Sequence, residues 1–470
     1  MKQRANLLSL GALVFVGITL TGYLWYTEHS QKQQKLACSP KCNVILIIED
    51  TLAASHLKTY GYKRDTMPQT TAFFEKNGVI FEQAHSVSPW TLPSFASMYF
   101  SDLANNITHK DLEQGTRTNL ISLLRDTRAI NIRAVVPPRG TLFIYDIIGK
   151  PFLEAEFVLP KNGDVFNPGI QTIKKLATEN KAFFLVLHSL KIHDPYEPKS
   201  PYTSAFDSST EYPSVSMQTL RNENAKPELP ASTTEVFKLR YDQGILQEDA
   251  ALAGFLNSLS PALLANTVVI FTSDHGEAFG EHGKYWHAMN LYQEELHVPL
   301  MIAGPNLKPR RVPDPVSGLD LAPTILSIMG APIPSTLLGD DLTPLLFGST
   351  LGERELQFVN GTPSYLDLSD GKEPPFINLK ATGKEGSGEP LIIASQKGLR
   401  RGNLKAITRS QQGPIEFYDL SADPKEQTPI TEVSKRISSS FLIAFINALY
   451  PSCGYNPGVL EKLCTKEQYK

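Results

Sequence analysis

The sequence predicts an α/β protein: a large, mostly parallel sheet sandwiched by helices, with a smaller C-terminal α+β unit. Three observations carry that expectation. Continuous apolar runs at Asn43–Ile48, Phe183–Leu187, Thr267–Phe271 and Val298–Ala303 show no polar alternation, so each reads as a strand buried on both faces. Stretches of helical character separate most of them, the order that builds parallel sheets. From about residue 352 the pattern changes to short strands with turns, among them Lys405–Thr408 and Glu416–Leu420, closed by an amphipathic stretch over Thr431–Leu449.

The chain's bounds fit that division. Its 470 residues exceed what one small core organises, and we assign 43–350 to the large domain and 351–470 to the C-terminal subdomain. A net charge of −3, from 45 basic and 48 acidic residues, argues against a nucleic-acid partner. Leu7–Tyr26 carries no charged side chain and is about the length a bilayer core requires; Lys2 and Arg4 precede it. The expectation is a membrane partner and a single-pass anchor: residues 1–6 cytoplasmic, 7–26 spanning, 27–42 a polar stalk, and the rest outside. Four cysteines form two close pairs, Cys38 with Cys42 and Cys453 with Cys464, which allows two local disulfides.

The chemistry collects at strand ends. The first strand runs out into Glu49-Asp50-Thr51, and the central one into Asp274-His275-Gly276-Glu277, with His282, Lys284 and His287 beyond. Neighbouring strand residues point to opposite faces, so Asp274 and His275 share an ion only if the strand has ended and the chain turns, which Gly276 permits. Carboxylate oxygen with imidazole nitrogen suits Zn²⁺ or Mn²⁺, and Ca²⁺ or Mg²⁺ less well. Thr91 stands at the mouth of a buried helix with Pro93 in its first turn, where unpaired N–H groups suit a phosphate or sulfate. A simple N-cap would use the same hydroxyl. Phe183–His188 runs out into His193-Asp194-Pro195-Tyr196. Residues 199–235 read as a long surface insertion, and a helix over about Thr234–Leu259 returns to the central strand.

With Asn43–Tyr62, Ser88–Ser97, His193–Pro198, Ser273–Pro305, Asp320–Thr324 and Phe417–Pro424 taken together, in order and spacing, the chain resembles the sulfatase family of the alkaline phosphatase superfamily. The resemblance implies an alkaline phosphatase-like fold. It also implies one divalent ion (Ca, Zn or Mn) at Asp50, Thr91, Asp274 and His275, with Thr91 as the metal-activated nucleophile and His193 and His287 lining the substrate side, where either could act as the catalytic group that protonates the leaving alcohol. His282 and Lys284 are candidate substrate-binding groups. Glu49 and His188 receive no direct role. The implied substrate is an anionic sulfate or phosphate ester, carried on a glycan or a lipid headgroup.

Three departures are specific. Sulfatases oxidise Cys or Ser to formylglycine within Cys/Ser-x-Pro-x-Arg, whereas this chain has Thr91-Leu92-Pro93-Ser94-Phe95, and threonine cannot supply that aldehyde. Such a nucleophile is similar to that of phosphoethanolamine and phosphoglycerol transferases. Ala53 and Ser55 stand where close relatives usually have Arg and Asp, and Phe95 where they have His or Arg. These residues leave a hydrolase, a phospho-group transferase and a catalytically silent binding protein as readings. The Cys38-Ser39-Pro40-Lys41-Cys42 run ends in Cys rather than Arg and precedes the first strand, so it is not the signature.

Overall fold

A strand apolar along its length must be covered on both sides, and β1 (Asn43–Glu49) is buried at every position. The computed structural model describes residues 35–38, 42–108, 110–111, 115–127, 130–137, 156–160, 163–179, 181–207, 231–363, 392–408, 415–432 and 436–449. In chain order the other strands of the large sheet are β2 (Gly78–His85), β3 (Asn131–Val135), β4 (Glu156–Val158), β5 (Phe183–Ser189), β6 (Thr267–Thr272), β9 (His297–Ala303) and β10 (Arg310–Ser317). A small hairpin, β7 (Ala278–Phe279) and β8 (Tyr285–Trp286), lies between β6 and β9. The eight strands order as β10-β2-β9-β6-β1-β5-β3-β4.

Every pairing is parallel except the two made by β9, which runs antiparallel to β2 and β6. The sheet is therefore mostly parallel, as the sequence predicts, and mixed only through β9. The cause is local: no crossover helix follows β6, so the chain loops out and returns beside it in the opposite direction. Sequence reading also misses β10. Pro313 and Pro315 make that segment look like a loop, but β10 is an edge strand paired only with β2, where a missing N–H donor does no harm.

Alternation along β1 sorts the helices into two layers. Val44, Leu46 and Ile48 face a core shared with α2 (Thr91–Phe100), α3 (Leu120–Thr127) and α6 (Leu321–Met329). Ile45 and Ile47 face α1 (Pro68–Asn77), α4 (Phe166–Thr178) and α5 (Ala231–Ser258). The described part of the expected stalk packs on this body: Leu36 is buried in the first core, and a Cys38–Cys42 disulfide closes just before β1. Residues 7–26, most of the 199–235 insertion and the Cys453/Cys464 pair lie outside the described residues. No helix among those described is long and apolar enough to cross a membrane.

Four antiparallel strands, β11 (Glu355–Pro363), β12 (Ile392–Arg401), β13 (Leu404–Thr408) and β14 (Ile415–Asp419), form the second sheet. The final helix α7 (Ser439–Leu449) packs Phe441 and Phe445 against Leu399 and Phe417. The seam with the large domain is built on Leu291, Tyr292 and Leu296, which pack against Leu356, Phe358, Ile407 and Tyr418. Inside it, the fully buried Lys405 ammonium donates to the Leu291 carbonyl at 2.7 Å and pairs with Glu426 at 2.7 Å. Burial pulls the Lys405 amine below its ordinary range, and the Glu426 carboxylate opposes that pull. Removing one member strands the other charge. Lys405→Ala is expected to lower the unfolding free energy by about 3–5 kcal/mol in denaturant titration, with much of the loss recovered by adding Glu426→Leu.

Candidate active site

The strand order β6-β1-β5 delivers three polar strand ends to one place. Asp50 follows β1 directly, Asp274 stands two residues past β6, and His188 is the penultimate residue of β5, opposite Ile48. All three are buried. The chain must bend sharply to present Asp50, and Thr51 does so at φ 65°, a strained value for a β-branched residue. That bend is fastened from several sides. The Thr51 N–H donates to Asp274 Oδ1 at 3.2 Å, Leu52 N–H to Ser273 Oγ at 2.9 Å, and the Tyr241 hydroxyl to the Thr51 carbonyl at 2.6 Å. The Ala53 N–H in turn donates to the Tyr241 oxygen at 3.0 Å.

His275 closes the cluster. Its Nδ1–H donates to the Gly276 carbonyl at 2.9 Å, which fixes the tautomer and leaves the Nε2 lone pair facing the carboxylates. Nε2 lies 3.4 Å from Asp274 Oδ2, 3.7 Å from Asp50 Oδ1 and 3.3 Å from Thr91 Oγ1. Gly276 is needed here for a reason other than the expected turn freedom: a Cβ would stand 2.2 Å from the Glu294 carbonyl oxygen. Thr91 is the first residue of α2, and its hydroxyl is turned to His275. Trp90 is the N-cap and makes no side-chain cap, so the capping role open to Thr91 on sequence grounds is not the one it plays.

Two buried oxygens in this cluster, Asp50 Oδ1 and Asp274 Oδ2, have no hydrogen-bond partner. Burial and the Asp50 charge push the Asp274 carboxyl well above its ordinary range. Burial would raise Asp50 too, but the His188 hydrogen bond at 3.1 Å and the surrounding imidazoles hold it below. Burial lowers the His275 imidazole to about 4. Two like charges this close do not both ionise unless a cation lies between them. The spacings of 3.3–3.7 Å around His275 Nε2 are those of neighbouring ligands on one divalent ion with bonds of about 2.0–2.4 Å. The donor set therefore fits such an ion, which Asp50, Asp274, His275 and Thr91 would hold. His188, given no role from sequence, also brings Nε2 within 4.8 Å of ligand oxygens of both aspartates. Because that nitrogen bonds Asp50 Oδ2, we read His188 as the residue that orients Asp50. Phe95 packs on the His188 ring, the two tilted by 40° with centroids 4.6 Å apart.

The remaining candidates divide. His193 lies in the loop after β5, its Nδ1–H donating to the Asp194 carbonyl at 2.8 Å; its ring and that of His287 meet edge to face at 5.1 Å. Burial lowers the His193 imidazole, but Asp194 and Asp50 outweigh it, and the group sits above its ordinary value. The His287 ring centre is 4.5 Å from that of His275. Glu277, quoted in the motif but assigned nothing, accepts from His287 Nδ1 at 2.9 Å and from the Tyr196 hydroxyl at 2.7 Å. His282 and Lys284, by contrast, do not join the cluster: they lie at the tip of the β7/β8 hairpin, whereas Glu277 and His287 flank its open end. His282 spends both ring nitrogens in the domain seam, on Glu294 Oε1 at 2.8 Å and the Glu426 carbonyl at 2.9 Å, and stacks on Tyr292 at 3.6 Å. Lys284 contributes backbone bonds to the hairpin turn. Glu49 points to the other face of the sheet, where burial and Glu248 push its carboxyl well up.

Two outcomes follow from this geometry. Purified protein is expected to carry one divalent ion per chain by plasma mass spectrometry, lost in Asp274→Asn, and His188→Ala is expected to weaken the affinity roughly 10–100-fold. For His282, burial lowers the pKa but the Glu294 carboxylate more than offsets it, leaving a raised value. Its stabilising contribution is therefore complete below the unfolded value of about 6.5 and fades as pH rises through the folded one. The denaturation midpoints of wild type and His282→Gln should accordingly converge with rising pH; a gap that stays constant would show that the ring is not protonated.

Comparison with known proteins places this geometry. The sequence profile of the sulfatase family matches residues 42–129 and 158–331. The chain is similar to arylsulfatase K of Canis lupus familiaris, at 26% identity over 445 residues, 83% of this chain and 78% of that one. It is also similar to choline-sulfatase of Rhizobium meliloti (strain 1021), at 32% over 170 residues, 36% of this chain and 28% of that one. Among solved structures, a phosphonate monoester hydrolase of Agrobacterium radiobacter superposes with TM-score 0.62 at 18% identity, covering 90% of this chain and 95% of its own. A protein in complex with its substrate D-glucosamine-2-N,6-O-disulfate gives TM-score 0.59 at 17% identity, covering 91% and 99%. The fold, the cluster at the strand ends and a profile match across more than half its length together make this chain a member of the sulfatase family, with the alkaline phosphatase-like architecture of sulfate and phosphate ester hydrolases.

Proposed function

We propose that the protein is a metal-dependent hydrolase of anionic phosphate or sulfate esters in which Thr91 is the nucleophile. One observation carries the reading: the Thr91 hydroxyl, freed from capping, lies 3.3 Å from the same His275 nitrogen that faces the two unpartnered carboxylate oxygens. A divalent ion bound by Asp50, Asp274 and His275 would lower the pKa of that hydroxyl and offset charge on the transferring group. The chain's own residues supply the rest. Thr91 sits at the N-terminal end of the ten-residue helix α2, whose dipole favours an anion. Asp50 is kept ionised and oriented by His188, and the rings of His193 and His287 meet beside His275, where imidazole is suited to protonate a leaving alcohol.

For the substrate, we propose an ester on a glycan or lipid headgroup. A structural neighbour's complex with a disulfated glucosamine supports the glycan side. We place the active site outside the cytoplasmic membrane. The uncharged run at residues 7–26, behind Lys2 and Arg4, and a closed Cys38–Cys42 disulfide, which an oxidising compartment favours, support that placement.

The test is turnover of chromogenic phosphodiester and sulfate esters without any acceptor. Wild type is expected to release product, Thr91→Ala to lose at least roughly 10³-fold in kcat while keeping its metal, and Thr91→Ser to retain a primary alcohol able to attack. Strict dependence on an added acceptor alcohol would make the protein a phospho-group transferase instead. Tight ligand binding without turnover would make it a silent relative.

A further inference from the structure

His287 is not merely packed on His275; it is held by a buried strut. The ring is 4% exposed, Glu277 is 1% exposed and Tyr196 is 6% exposed. One Glu277 oxygen accepts from His287 Nδ1 at 2.9 Å and the other from the Tyr196 hydroxyl at 2.7 Å, so both lie on directed donors. The carboxylate is fixed from its backbone as well. Gly276 and Glu277 donate their N–H groups to the carbonyls of Glu295 and Glu294 at 2.7 and 3.0 Å, a close approach that only glycine at 276 allows. With Nδ1 spent on Glu277, Nε2 occupies the opposite edge of the ring. The ring itself is wedged against Trp286 at 4.0 Å, His275 at 4.5 Å and His193 at 5.1 Å.

Tyr196 gives the strut a second consequence. It belongs to the loop that carries His193, so its bond to Glu277 ties that loop to the one carrying His287. Trp286 Nε1 donates to Asp194 Oδ1 at 2.7 Å and makes a second tie between the same loops. From this we infer that Glu277 is a positioning residue: it holds His287 Nδ1–H and fixes the direction of the ring so that Nε2 passes a proton to the leaving group, with Tyr196 holding Glu277 in place. The inference rests on the hydrolase reading above. In the step it supports, the bond from Thr91 Oγ1 to phosphorus or sulfur forms as the bond to the leaving oxygen breaks. The Nε2 proton passes to that oxygen, and the Thr91 hydroxyl proton is released to solvent. In the second half, neutral His287 takes a proton from the water that displaces Thr91, and the departing Thr91 oxygen regains a proton from solvent, which restores both groups. A buried acid on Nδ1 orients the ring in the way an aspartate orients a catalytic histidine.

A strut of purely structural value would reduce turnover of every substrate alike; one that serves proton transfer would not. The experiment compares wild type, Glu277→Gln, Glu277→Ala and Tyr196→Phe on diesters whose leaving groups run from 4-nitrophenol to a simple alkyl alcohol. A nitrophenolate leaves without help, so its kcat is expected to fall only about threefold, while the alkyl ester falls roughly 100-fold or more, with KM nearly unchanged. Glu277→Gln can still accept from Nδ1–H through its amide oxygen and is expected to recover part of the alkyl activity, which keeps the test valid if Glu277→Ala does not fold. Equal losses across the leaving-group series, in protein that retains its metal, would overturn the assignment. Wild-type turnover indifferent to Thr91→Ala would instead overturn the hydrolase reading beneath it.

Discussion

Two carboxylate oxygens that face one ion site without hydrogen-bond partners, Asp50 Oδ1 and Asp274 Oδ2, are the constraint on which the rest of the architecture depends. Buried charges of like sign repel strongly in a medium of low dielectric, and such a pair stays doubly ionised only where a cation offsets it. Adjacent parallel strands supply the proximity: β1 and β6 pair in register and end side by side, so both aspartates emerge at the same sheet edge. The strained Thr51, the Ser273 and Tyr241 hydrogen bonds and the His188 contact then keep the oxygens from turning away to find other partners. Strain of this kind is expected at a site whose geometry the surroundings impose.

The reversal of β9 gives the same region its second half. Because the chain leaves β6 without a crossover helix, residues 273–296 stay at the sheet edge and place His275, Glu277 and His287 around Thr91. The Ala288 N–H donates to the Pro89 carbonyl at 2.9 Å, which binds this loop to the segment that presents the nucleophile. Val359 donates to the Val87 carbonyl at 2.9 Å, and Asn360 Nδ2 to the Ala288 carbonyl at 3.1 Å, so the C-terminal sheet buttresses both loops from behind. The small domain thus braces the site, and His282, at the hairpin tip, belongs to that bracing.

Much of this was legible in the sequence. Fully apolar runs identify β1, β5, β6 and β9 because burial on both faces leaves no alternation to confuse with another element. Asp50, Thr91, Asp274 and His275 stand out because each polar group interrupts such a run or opens a buried helix. What escaped detection has a common cause: it depends on contacts between segments far apart in the chain. The antiparallel direction of β9 is invisible in its composition. β10 reads as a loop because its prolines are harmless only at an edge. His282 shares a motif with His287, and only the hairpin geometry sends one to the seam and the other to the nucleophile. His188 and Glu277 were visible as residues, but their value lies in partners 138 and 10 positions away.

The departures at Ala53 and Phe95 are accommodated without charge. Ala53 is buried beneath Tyr241, and Phe95 packs its ring on His188, so the surroundings of the site are repacked. Whether that arrangement still organises an ion around Thr91 is the central claim. Anomalous scattering from crystals grown with Mn²⁺ or Zn²⁺ tests it most directly. The account predicts one peak within bonding distance of Asp50, Asp274, His275 and the Thr91 hydroxyl. A peak held by Asp50, His188 and Asp274 with Thr91 out of reach, or no peak at fully occupied metal concentration, would contradict it.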